Sequence, residues 1–486
     1  MTAFAPSARV SGGRIRGRAE RGHVVFRGIP YAAPPQGAGR FAAPSPAPSW
    51  DGVRDATEPG PTAPAPARDF GRLDLTPVLG RPVRGAGYLT VTVTTPDPAA
   101  GGLPVLVFVH GGGFTAGTGQ ADLYDGAGFA RDGVVVVTLN YRLGIAGWLD
   151  LPDAPANRGL LDVIAALEWV QDNIRAFGGA PDRVTVAGQS AGAMITAALL
   201  AAPRAVGLFQ RAISQSGSGE CAFLPGQAAL ATRAVGAALG LPPGGVTAAA
   251  LADLPDDRLV AVLGGIPPID HAAHGFRDPS LGASPCKPVI DGVVLTGQPS
   301  EVLVPAATDL LIGTNTDEAD LYLVPAGRIA TATERDLLAA ARRRYPDSEA
   351  RVATYRAAHP DATPGGLLAR VVTDAFVQGS RGLADAHARR STGRTYRYEF
   401  GWRPGSFGGA LGACHCAELP FVFGTADLPS LHGDTALAGP GPTPADLVTE
   451  VHRAWVRFIA EGDPGWAGEG THVFAPDGAS AAFVQQ

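Results

Sequence analysis

The sequence predicts an α/β protein built on a mostly parallel sheet, and three observations carry that prediction. The runs Val105-Leu106-Val107-Phe108-Val109 and Val134 to Leu139 are continuously apolar rather than alternating, as in strands buried on both faces. Downstream, Leu160, Leu161, Ile164, Leu167, Val170 and Ile174 fall on one face of a helix that Gly178-Gly179 ends. Finally, Gly188-Gln189-Ser190-Ala191-Gly192 joins the apolar run Val184 to Ala187 to the helix-prone stretch Ala193 to Ala202. A serine between glycines at a strand-to-helix junction is the pattern of a nucleophile elbow.

The remaining elements follow in chain order. Arg14-Ile15-Arg16 and His23-Val24-Val25-Phe26, separated by Gly-rich turns, read as an N-terminal β-hairpin. Residues 42–68 are dominated by Ala and Pro and read as a surface loop, because proline lacks the N–H that helix or inner strand requires. A strand is expected over Leu89 to Val93, and further strands at Arg211 to Ser214, Leu310 to Ile312 and Tyr396 to Phe400. Strands alternating with helices imply a parallel sheet with helices on both faces. Residues 226–262 and 333–392 read as helical insertions over the site, 436–444 as a flexible loop, and Val451 to Ala460 as a closing amphipathic helix. No repeat or linker divides residues 1–486, so one domain is expected.

Composition narrows the function. A 45% hydrophobic chain with 17% charged residues can bury a large core. Its net charge of −6, without a dense basic run, argues against a nucleic-acid partner. No stretch reaches the ~18 apolar residues of a membrane span, and the start carries no signal-peptide pattern. Cys221, Cys286, Cys414 and Cys416 are too few and scattered for a disulfide framework, which suits a reduced, cytoplasmic protein. Lys287 is the only lysine, and the abundance of Arg, Ala, Gly and Pro looks like a high-GC bacterial coding bias.

Around Ser190 the sequence offers the other groups that acyl transfer needs. His110-Gly111-Gly112-Gly113-Phe114 follows a core strand, and glycines there let backbone N–H groups converge on an oxyanion. Gly112, Gly113 and Ala191 would donate, with His110 positioning the loop. For the base, chain order leaves His359, His387, His415, His432, His452 and His472. His415 has the best context, in a loop running into the apolar segment Leu419 to Gly424. The acid should follow a core strand, and Asp317 and Glu318 both do, after Leu310 to Asn315. Chemistry alone does not choose between them.

These pieces resemble the type-B carboxylesterase family, the α/β-hydrolases that include cholinesterases and bacterial para-nitrobenzyl esterases. The resemblance spans nearly the whole chain. It rests on Phe26-Arg27-Gly28-Ile29-Pro30-Tyr31-Ala32 with Pro34-Pro35 and Arg40-Phe41, on Asn140-Tyr141-Arg142-Leu143-Gly144, on Asn157 to Asp162, and on Asn173 to Gly179. It implies an α/β-hydrolase fold and a serine carboxylic-ester hydrolase that uses an acyl-enzyme and no cofactor or metal. The family's acid falls on Glu318, its histidine on His415, and its oxyanion donors on Gly112, Gly113 and Ala191. Arg142 and Asp162 resemble a structural ion pair, and Ser216 resembles a buried non-catalytic serine. Carbamate, amide, toxin or antibiotic ester cleavage would use the same triad. Adhesion members of the family lack the nucleophile or the histidine, and this chain keeps both.

Departures from the family pattern are informative. Gln189 stands where the family has glutamate, a carboxylate that lies near the one falling on Glu418. A neutral amide removes that like-charge neighbour, so an altered pH profile is expected. Ala86-Gly87-Tyr88-Leu89 lacks the family's bridging cysteine, and the glutamate that pairs with Arg40 is lost. Ala319 replaces a glycine. Cys414-His415-Cys416 has no CxxC partner and reads as packing beside the histidine rather than a metal site. Phe114, Gln189, Phe376, Trp402 and Phe421 are candidates for the substrate pocket. The expected partner is a small-molecule ester, with a monomer or weak homodimer as the default.

Overall fold

The computed structural model describes residues 5–278 and 284–476. Among the described residues thirteen strands form two sheets. A small sheet holds β1 (Ser7–Val10), β2 (Gly13–Arg16) and β5 (Val53–Asp55). The other ten are β3 (Arg18–Glu20), β4 (His23–Pro30), β6 (Thr90–Thr95), β7 (Leu103–Val109), β8 (Val135–Leu139), β9 (Gly179–Gln189), β10 (Arg211–Gln215), β11 (Asp309–Asn315), β12 (Thr395–Phe400) and β13 (Thr471–Phe474).

The large sheet runs β13-β12-β11-β10-β9-β7-β8-β6-β4-β3. Every pairing from β8 through β13 is parallel, and β3, β4 and β6 add an antiparallel edge. Val105 to Val109 and Val135 to Leu139 are buried throughout, which is why neither run alternates. The winding reverses at β7, with β8 on one side and β9 on the other. In an open α/β sheet the crevice at such a reversal, beyond the carboxyl ends of the strands, is where ligands bind. The Gly111–Gly113 loop after β7 and Ser190 after β9 meet there.

The helix Arg158–Asn173 buries its apolar face, continues as a 3-10 turn through Phe177, and is closed by Gly178 in the left-handed region at φ 83°. The helix after the elbow, Ala191–Ala201, is buried at all of its positions, so it is an internal helix and not an amphipathic one. The helical insertions are present at Pro225–Leu239, Ala248–Leu251 and Asp256–Gly265, and again at Glu334–Arg344, Ser348–Ala358 and Pro364–Arg390. The closing helix spans Ala445–Glu461 and buries Val451, Trp455, Phe458 and Ile459.

Three expectations need correction. Arg14–Arg16 and His23–Phe26 do not form one hairpin: β2 pairs with β1, whereas β4 pairs with β3 and β6. β3, which follows β2 after Gly17, takes the hairpin with β4, so β2 and β4 serve different sheets. The 42–68 segment is not only loop, because its exposed residues Val53–Asp55 add to β2 as β5. The 436–444 loop is anchored through buried Leu437 and Ala438, and the Ala438 N–H donates to Leu431 O at 2.8 Å.

Candidate active site

Ser190 occupies the turn between β9 and the buried helix, with φ 58° and ψ −121°. That backbone is strained for a residue with a side chain and persists only where its surroundings impose it. Gly192 shows how tight those surroundings are, since a Cβ there would lie 2.0 Å from Val109 O. Gly112 is equally constrained: its φ is 110° and a Cβ would meet Ala116 O at 2.1 Å. Phe114 and Cys416 also hold positive φ, at 64° and 75°. Of the six described non-glycine residues with positive φ, three, Phe114, Ser190 and Cys416, line one cavity of about 760 Å³ that opens to solvent.

The same cavity is lined by Gly112, Gly113, Ala191, Gln189 and His415. Among the described residues, the N–H groups of Gly112 and Gly113 have no backbone acceptor. Ala191 opens its helix, where the first N–H groups have no intrahelical partner. Three donors therefore border the space beside Ser190. His110 anchors the donor loop. Its ring stacks on Tyr141 at 4.5 Å, its Nδ1 lies 2.7 Å from Gly111 O, and burial lowers its pKa to about 4, so it is neutral.

Glu318 and Asp317, equivalent in sequence, separate in space. The Glu318 carboxylate is buried, with Oε2 2.5 Å from His415 Nδ1 and Oε1 accepting the Asn315 N–H at 2.8 Å. Asp317 turns the other way, pairing with Arg403 at 2.7 Å and accepting the Ala413 N–H at 3.0 Å. Ala319 fits because its φ is −66°, a conformation that demands no glycine. His415 packs against Phe376 at 4.8 Å and Tyr322 at 5.7 Å. The other five histidines considered have other surroundings. His387, for example, is held by Thr395 and Thr308, and His452 by Val422 O and Asp132.

With Nδ1–H donated to Glu318, the His415 Nε2 carries the lone pair, and the Gln189 side-chain N–H reaches it at 3.1 Å. Sequence similarity places residue 189 beside Glu418. Here Glu418 is instead bound by Asn315 Nδ2 at 2.7 Å and Gln215 Nε2 at 3.1 Å. Burial, then the charge of Glu318, pushes the Glu418 carboxyl up to about 7. Ser216 is buried at φ 55° but lies outside the cavity.

Of the pocket candidates, Phe114, Gln189 and Phe376 line the cavity. Trp402 and Phe421 do not. They pack on each other at 5.0 Å within the core beneath the closing helix, because the helix Leu419–Phe423 turns Phe421 away from the site. Arg68, Phe70, Leu75 and Val78, which no motif or periodicity marks, line the cavity from a stretch that begins at the end of the Ala/Pro-rich loop. Lys287 and Cys416 also line it, Lys287 through a buried 2.6 Å ion pair with Asp278.

Elsewhere the expected structural pairs form. Arg142 makes a two-pronged bond to Asp162, at 2.8 and 2.7 Å, with both side chains buried. Arg40, without its family glutamate, is held by the carbonyls of Leu251, Ala252 and Leu254 and by Asp256.

A model of the carboxylesterase family matches residues 5–474. The chain is 36% identical over 467 residues to a phenmedipham hydrolase of Pseudarthrobacter oxydans, covering 94% of this chain and 90% of that one. It is 36% identical over 466 residues to the para-nitrobenzyl esterase of Bacillus subtilis (strain 168), covering 93% and 89%. A solved Geobacillus stearothermophilus carboxylesterase superposes with a TM-score of 0.80 at 32% identity, covering 96% of each chain. These likenesses, together with the cavity at the sheet reversal, place the fold and the class of reaction: the chain belongs to the carboxylesterase family and is a carboxylic ester hydrolase with the α/β-hydrolase fold.

Proposed function

We propose that hydrolysis proceeds through an acyl-enzyme on Ser190, with His415 as the base, Glu318 as its orienting acid, and Gly112, Gly113 and Ala191 as the oxyanion donors. The observation that carries this reading is the 2.5 Å contact from Glu318 Oε2 to His415 Nδ1, which leaves Nε2 as the acceptor in a cavity shared with Ser190.

In the first step the Ser190 Oγ attacks the ester carbonyl carbon and its proton passes to His415 Nε2, displacing the Gln189 N–H from that lone pair. The carbonyl oxygen gains charge and is held by the three N–H groups, each worth about 10²–10³ in rate by analogy with other oxyanion donors. Collapse breaks the ester C–O bond, and the imidazolium proton leaves with the alcohol. Water then attacks the acyl carbon and gives a proton to His415, and collapse breaks the acyl C–Oγ bond, returning that proton to Ser190 as the acid leaves. Glu318 orients the ring through Nδ1 and stabilises the imidazolium.

A para-nitrophenyl ester series of increasing acyl length tests this. Wild type should show turnover with a nitrophenolate burst on slow acyl groups. Ser190→Ala should lose at least about a thousandfold. Equal activity in the variant would refute the role given to Ser190.

A further inference from the structure

The cavity carries one cation that the protein leaves unbalanced. Arg68 lines it beside Gly113, its guanidinium 3.3 Å from the point a Cβ on Gly113 would occupy. Thr115 Oγ1 accepts one of its N–H donors at 2.8 Å, and the Phe70 ring lies 5.6 Å from its Cζ. Among the described residues no carboxylate pairs with it. The nearest acidic residues in sequence are engaged elsewhere: Asp69 accepts the Gly71 N–H at 2.7 Å and Asp74 the Thr76 N–H at 2.8 Å. Burial presses the Arg68 pKa downward, opposed only by the Tyr322 hydroxyl.

Other sheltered cations in this chain are answered from within. Arg142 has Asp162, Lys287 has Asp278, and Arg158 donates to the carbonyls of Ala146, Pro155, Ile145 and Leu149. A sheltered guanidinium with a free planar fork is costly unless an anion meets it, and the anion it fits best is a carboxylate bound through two N–H groups. No carboxylate side chain lines the cavity, so a carboxylate meeting Arg68 there would come from the bound molecule.

We propose that Arg68 reads a carboxylate of the substrate, so that this site takes esters carrying a free carboxylate a few bonds from the scissile carbonyl. The short spacing follows from the guanidinium lying against Gly113, one of the proposed oxyanion donors. The inference rests on the ester-hydrolase reading of the same cavity. Hydrolysis of such a monoester adds water across the C–O bond and releases an alcohol and the acid, with the carboxylate that Arg68 holds unchanged.

The test compares acid esters with neutral isosteres. One pair places the charge on the acyl side, mono-n-propyl glutarate against n-propyl glutaramate. The second places it on the alcohol side, the butyryl ester of glycolic acid against that of glycolamide. In wild type, kcat/KM should favour the acid at least tenfold in one pair, which also identifies the side that Arg68 reads. Arg68→Gln should collapse that ratio by tenfold or more, and Arg68→Lys should restore part of it. A wild-type ratio at or below one in both pairs overturns the proposal. So does an Arg68→Gln variant that slows acid and amide by the same factor, because the guanidinium would then act on the reaction itself. Turnover of neither member of either pair would instead overturn the hydrolase reading beneath it, along with this one.

Discussion

The side-chain amide of Gln189 and the imidazole of His415 are hydrogen-bonded, Nε2 to Nε2 at 3.1 Å. The residue before the elbow serine therefore sits on the lone pair that takes the serine proton in the proposed mechanism. The amide holds that position with an uncharged N–H directed at the ring nitrogen. A carboxylate there would favour the imidazolium. Gln189→Glu should accordingly move the acid limb of kcat/KM to higher pH, by about one unit, because the base is freed only at higher pH. A pH–rate profile on a single ester measures it, and an acid limb unchanged from wild type would remove the idea.

Glu418 makes a second pH-dependent prediction, on stability. Its carboxyl is buried and pushed up to about 7 from an ordinary 4.5, chiefly by desolvation and then by Glu318. Between those values the native state holds more protons than the unfolded chain, so stability falls as pH rises through the window. The penalty is absent below 4.5 and complete above 7, reaching about 3 kcal/mol for this group alone. Glu418→Gln should flatten that part of the profile in urea unfolding at pH 5 and pH 8. An undiminished slope in the variant would show that another group causes it.

The Arg142–Asp162 pair is a structural prediction. Asp162 also accepts the Arg142 backbone N–H at 3.0 Å, so its removal strands a buried guanidinium. Asp162→Ala should cost about 3–5 kcal/mol in urea unfolding. A loss below about 1 kcal/mol would mean that the Arg40 and Ala42 carbonyls, which Arg142 also contacts, suffice to hold the cation.

Much of this architecture was legible in the sequence, for identifiable reasons. Val105 to Val109 and Val134 to Leu139 are apolar without alternation because β7 and β8 are covered on both faces. The elbow is readable because backbone approaches as close as that at Gly192 tolerate no side chain. The separation of Asp317 from Glu318 was not readable from chemistry. It depends on which carboxylate the turn after β11 aims at His415, and family resemblance alone pointed to Glu318. Trp402 and Phe421 were misplaced because an aromatic next to a site in sequence looks the same whether its helix turns it inward or toward the core. Arg68 ends the Ala/Pro-rich stretch and Phe70 lies just beyond it, where no periodicity exists to show which side chains point inward. The hydrogen bond from Gln189 to His415 was likewise invisible, since it joins residues 226 positions apart.

The proposed covalent intermediate on Ser190 is tested by labelling with diisopropyl fluorophosphate, followed by peptide mass spectrometry. One phosphoryl adduct is expected, on Ser190, formed in step with loss of esterase activity and absent from Ser190→Ala. An adduct on Ser216 or any other residue, or a Ser190→Ala variant with full activity, would contradict it.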